Sequence, residues 1–121
     1  MAIPDLFQDR SFEFALRVLR LYRWLLSTTD IPRHLAQQML RAGTSIAANL
    51  EEAKSAYSRR DLAAKQAIAL REGRECRYWL RLIITDQPQA ASAARPFIEE
   101  CEQLIAMLTS SVRKLREDGH Q

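Results

Sequence analysis

Arg41-Ala-Gly-Thr-Ser-Ile-Ala-Ala-Asn-Leu-Glu-Glu-Ala53 has the rhythm of a helix. Ala42, Ile46, Asn49 and Ala53 recur at intervals of four, three and four, so they share one stripe of it. An amide on an otherwise apolar seam needs a partner, because leaving it unpaired in a core costs about 1–3 kcal/mol. Partners stand in Arg71-Glu-Gly-Arg-Glu-Cys-Arg-Tyr-Trp-Leu-Arg81, where Glu72 and Glu75 lie in the apolar row Ile68, Glu72, Glu75, Trp79 and Leu82. The two segments read as facing helices. Ser45, Asn49, Glu72 and Glu75 form the expected structural polar cluster, whose carboxylates accept hydrogen bonds from Asn49, Ser45 or an arginine and set the register.

Working outward, the spacing predicts a first helix from about Ser11 to Ser27, capped by Ser11, with Phe12, Ala15, Leu19, Tyr22 and Leu26 inward. Val18, Leu21 and Leu25 widen this stripe, which predicts contact with more than one neighbour. Asp30 is the expected cap of a second helix, with Pro32 in its first turn. That helix extends to about Tyr57 through Leu35, Met39, Ala42, Ile46, Asn49 or Leu50, and Ala53, and Gly43 marks close approach by a neighbouring helix.

Ser58 and Asp61 are spaced as a variant capping box for a third helix reaching about Ile84. Leu62, Gln66, Ala69, Gly73, Cys76, Leu80 and Ile83 form its seam. A fourth helix follows Thr85-Asp-Gln-Pro88 and runs to about Arg116, with Phe97, Cys101, Leu104, Leu108 and Leu115 inward. Pro96 predicts a kink or a short separate turn near its start. Short connections make the expected fold an all-α, antiparallel up-down-up-down four-helix bundle. Residues 1–121 form one domain with an ordered core of about 11–116, and any disorder is confined to Met1–Asp9 and Glu117–Gln121.

Composition narrows the function classes. Apolar residues make up 47% of 121 positions, too many for a disordered chain. No basic segment precedes an apolar run at the N-terminus, and no uncharged apolar stretch approaches the roughly 20 residues of a membrane span. The expected location is therefore cytoplasmic, where Cys76 and Cys101 read as reduced core residues. Net charge is +3, and 15 of the 18 basic residues are arginine, a balance compatible with nucleic acid without requiring it.

Two segments carry a resemblance to a known family: Leu40 to Ala53 and Ala67 to Leu82. They resemble the four-helix-bundle family linked to large-subunit ribosomal RNA intervening sequences. Thr44, Ser45, Ile46, Asn49, Glu51 or Glu52, Glu72, Glu75, Tyr78 and Trp79 match its pattern, and the similarity spans roughly Phe14 to Leu115. Ala47 and Gly73 depart from it, where the family has glycine and alanine, both small-for-small exchanges. The resemblance implies a homo-oligomeric ring, a pentamer, of undefined role. Related bundles in diversity-generating retroelements resemble basic accessory proteins that bind nucleic acid and a reverse transcriptase, an analogy of fold.

Glu72 and Glu75 also fit a second chemistry, an acid–base pair or di-metal ligands. A di-iron bundle needs Glu-x-x-His elements, and neither His34 nor His120 follows a glutamate at that spacing. No serine or cysteine has an activating base in its motif, and Gly43 and Gly73 are isolated rather than part of a phosphate loop. The sequence therefore predicts no enzyme, no metal and no cofactor. Arg71, Arg74, Arg77 and Arg81 follow at three, three and four, a ridge covering about one third of the third helix. One reading is phosphate contact with RNA or DNA. The other is a solvated or ion-paired face, partnered by Glu72 and Glu75 or by Glu99, Glu100 or Glu102 of a neighbouring subunit. Trp24, Tyr78 and Trp79 are the candidate interface anchors, although Tyr78 and Trp79 also suit base stacking. The expected function is a self-assembling accessory factor on nucleic acid; the alternative is a structural or protein-interaction oligomer.

Overall fold

A computed structural model describes the backbone of residues 2–118 and the side chains of residues 7–117. Its elements are helices α1 (Ala2–Thr28), α2 (Arg33–Ala53) and α3 (Arg59–Asp86), a single 3-10 turn (Pro88–Ala90) and helix α4 (Ala91–Asp118). His120 and the terminal residues Met1 and Gly119–Gln121 lie outside the described residues.

Contacts between consecutive helices run in opposite directions along the chain. Gln8 donates to the Leu50 carbonyl at 3.2 Å, and the Ser111 hydroxyl meets Gln66 Oε1 at 2.6 Å. Arg10 of α1 clasps Glu100 of α4 at 2.7 and 3.1 Å, while Phe14 packs on Phe97 with ring centroids 5.9 Å apart. These pairings close the antiparallel four-helix bundle. Ile46, Cys76, Leu80, Leu104 and Leu108, each fully buried, belong to its central cluster.

The first helix differs most from the sequence expectation. It begins at Ala2 instead of Ser11, and Pro4 falls in its first turn, where no intrahelical hydrogen bond is lost. Ser11 is not a cap; it is buried within the helix and donates to the Gln8 carbonyl at 3.1 Å. The inward stripe is Phe7, Phe14, Val18, Leu21 and Leu25, whereas Phe12 is 68% exposed. Phe12, Leu16 and Leu19 stand roughly 150° round the helix from that stripe. Both faces are apolar, and the one that touches α2 became the core.

Asp30 does not cap α2; it accepts from Gln87 Nε2 at 2.6 Å and ties the two turns at that end of the bundle together. Pro32 occupies the cap position without a side-chain cap bond, and the helix ends at Ala53, leaving Tyr57 beyond it and 87% exposed. Gly43 does mark a close approach. A Cβ there would lie 3.0 Å from Val18 and 3.3 Å from Cys76 Sγ, so α1 and α3 press on α2 at one level.

At the start of α3 the Ser58 hydroxyl accepts from the Asp61 amide at 3.0 Å. The return bond of the capping box goes to the Tyr57 amide at 3.3 Å. Lys65 then binds Asp61 at 2.8 and 2.9 Å, which lowers the Asp61 pKa and raises that of Lys65. The expected α3 seam holds from Gln66 to Ile83, with Ala63 replacing Leu62 at its start. Cys76 and Cys101 are buried free thiols in contact across α3 and α4, and that contact together with burial pushes the Cys76 thiol well up. Before α4 the separate turn is present as Pro88–Ala90, and the helix continues through Pro96. Val112 is buried in α4, and Leu115 only half-buried.

Candidate functional site

Antiparallel packing of α2 on α3 sets Arg41 opposite two acidic residues one turn apart. Its Nη1 donates to Glu72 Oε2 at 2.9 Å, and its Nη2 forms an ion pair with Glu75 Oε2. Glu72 is the more enclosed acid, its side chain 15% exposed against 38% for Glu75. Of the expected donors Asn49, Ser45 and an arginine, it is the arginine that meets these carboxylates.

Asn49 does not join the cluster. It is half-buried, and its Nδ2 donates to the Ser45 carbonyl on its own helix at 2.8 Å. An amide four residues along a helix reaches back to that carbonyl without any tertiary partner. Leu50, 2% exposed, takes the inward position. Ala42, Ile46 and Ala53 of the expected stripe are buried with Gly43 and Leu50 beside them, so Asn49 is the one member that leaves the seam, and Ser45 contributes through its backbone.

Arg41 changes the electrostatics of the neighbouring ridge. On α3, Arg71, Arg74 and Arg81 are exposed and Arg77 half-buried. Because Glu72 and Glu75 are held by α2, none of these guanidinium groups pairs with a carboxylate among the described residues. Glu100, considered as an acceptor across a subunit boundary, is engaged inside the chain by Arg10. Arg74 also lines a groove of about 480 Å³ between α3 and α4, opposite Arg113 and Arg116, with Thr109 and one carboxylate, Glu117, beside them. The spacing of three between Arg113 and Arg116 is legible in the sequence, but their place beside Arg74 depends on the α3–α4 register and is seen only in the fold.

The three candidate anchors divide. Trp24 and Trp79 are half-buried and packed on the chain's own core, although Trp79 Nε1 is enclosed without a hydrogen-bond partner. Tyr78 is 57% exposed and meets Trp79 edge-on, with centroids 5.0 Å apart and planes at 72°. At the far end of the bundle, a cleft of about 650 Å³ is lined by Phe7, Leu50, Leu62 and Gln66 among others, with no histidine, cysteine or carboxylate among its described lining residues. No three His, Cys, Asp or Glu gather at metal-binding distance among the described residues, and none of the helices described is long and apolar enough to cross a membrane.

Comparison with known proteins places this geometry in context. Residues 6–110 match the family model described as 23S rRNA-intervening sequence protein. The chain is similar to a solved structure from Bacteroides thetaiotaomicron, a protein of unknown function from the S23 ribosomal protein family. The two are 33% identical with a TM-score of 0.81, over 91% of this chain and 97% of that one. No curated protein matches.

Proposed function

Because the chain belongs to the 23S rRNA-intervening sequence protein family, we propose that it is a non-enzymatic, cytoplasmic bundle that self-assembles and contacts RNA or DNA through phosphates. The observation that carries this reading is the α3 ridge left without carboxylate partners once Arg41 has taken Glu72 and Glu75. Arginine suits phosphate by its planar, bidentate fork, and such contacts position a protein without reading sequence. Arg113 and Arg116 widen the cationic surface across the α3–α4 groove.

Self-assembly is supported by the outer face of α1, where Phe12 is 68% exposed and Leu16 and Leu19 are half-buried away from the core. A second copy of the chain fits this apolar stripe, and the pentamer implied by resemblance is the form proposed. Several copies of a modest ridge add their fields. The rival reading, a structural oligomer without nucleic-acid affinity, keeps the same face and uses the ridge to pair with Glu99 or Glu102 of a neighbouring subunit.

The double change Arg74→Glu and Arg77→Glu separates them. Under the nucleic-acid reading a gel shift is lost while the sizing-column volume stays the same. Each phosphate contact removed lowers the log–log salt slope by about 0.7–0.9. Under the rival reading the oligomer itself falls apart, since like charges are brought together. Absence of any gel shift by the unmodified protein at low salt would end the nucleic-acid reading.

A further inference from the structure

The exposed tyrosine of α3 stands inside the arginine ridge. Arg71, Arg74, Tyr78 and Arg81 follow at intervals of three, four and three, so they occupy one side of the helix. Along the axis Arg74 precedes Tyr78 by about 6 Å and Arg81 follows it by about 4.5 Å. The phenol ring is 57% exposed, and its perpendicular contact with Trp79 covers at most one of its faces while limiting its rotation. Trp79 is itself packed on the core, so the ring rests on a fixed base.

A ring with a free face, bracketed by unpaired cations one turn away on either side, matches what a single strand offers. An unpaired base stacks on the ring, and the flanking phosphates meet guanidinium groups. A duplex keeps its bases stacked on one another and would use only the arginines. We infer that α3 binds single-stranded nucleic acid, with one unpaired base stacked on Tyr78 and backbone phosphates on Arg71, Arg74 and Arg81. Base identity matters little, since every base has a face to stack. This inference rests on the nucleic-acid reading above and narrows it to one class of strand.

Fluorescence anisotropy with a labelled oligouridylate and a blunt-ended RNA duplex of equal phosphate number tests it. The wild-type protein binds the single strand more tightly. Tyr78→Ala weakens binding to the oligouridylate by about 5- to 150-fold and leaves duplex affinity, salt slope and sizing-column volume unchanged. Tyr78→Phe, which keeps the ring, retains single-strand affinity. Equal losses on both probes, or no loss on either, would overturn the stacking role while leaving the phosphate contacts standing. A change of oligomer mass in Tyr78→Ala would overturn it in favour of a subunit contact. Failure of the wild-type protein to bind either probe removes the nucleic-acid reading, and this inference with it.

Discussion

Phe14→Ala should lower the free energy of unfolding by about 3–5 kcal/mol, the range for emptying a buried aromatic site. Phe14 is 1% exposed, packs on Phe97 and lies in the central cluster. Phe12→Ala, two positions earlier on the same helix, should change the stability of the separated subunit by no more than about 0.5 kcal/mol, as for an ordinary surface position. Urea unfolding followed by circular dichroism, extrapolated to low subunit concentration, gives both values. Light scattering adds the second half of the contrast. The wild-type protein should show several times the 13.9 kDa chain mass, and Phe12→Glu should reduce that mass while helical content persists. Equal losses of stability at Phe12 and Phe14 would mean that α1 is rotated from the orientation described.

Arg41→Ala should cost about 1–3 kcal/mol, because hydrogen bonds to charged groups contribute about that much and their loss leaves carboxylates facing each other across one turn. The lower half of the range is favoured by the 48% exposure of the Arg41 side chain, since water screens what the guanidinium no longer neutralises. Asn49→Leu should shift stability by less than about 0.5 kcal/mol, as its amide serves only a carbonyl of its own helix. Adding Glu72→Gln to Arg41→Ala should recover part of the loss, and the double-mutant cycle isolates the coupling between the two side chains. A large loss at Asn49 with none at Arg41 would reverse the assignment of the cluster.

The sequence showed that Glu72 and Glu75 required a donor, for a physical reason: carboxylates in an apolar row are costly alone. It narrowed the donor to Asn49, Ser45 or an arginine and went no further, because the reach of a long side chain from a neighbouring helix has no signature in local spacing. The α3 ridge was legible for the opposite reason, since neighbours at three and four on one helix depend only on helical geometry. Arg113 and Arg116 joined it through the pairing of two helices.

By itself the sequence determined that there are four long helices, their order and the seam from Gln66 to Ile83, because period and turn chemistry act over a few residues, whereas of the expected caps only Ser58 serves as one. Tertiary structure alone decided which way α1 faces, and which of Asn49 and Leu50 on α2 is buried. On α1 both Phe12 with Leu16 and Leu19, and Phe14 with Val18 and Leu25, satisfy helical periodicity. Burial goes to whichever face meets a neighbouring helix, and Val18 pressed against the bare backbone of Gly43 is where that contact is made. On α2 the expected Met39, Ala42, Ile46 and Ala53 are buried, and packing chose Leu50 over the neighbouring Asn49 for the remaining inward position, because the apolar side chain gains from burial and the amide is satisfied on its own helix.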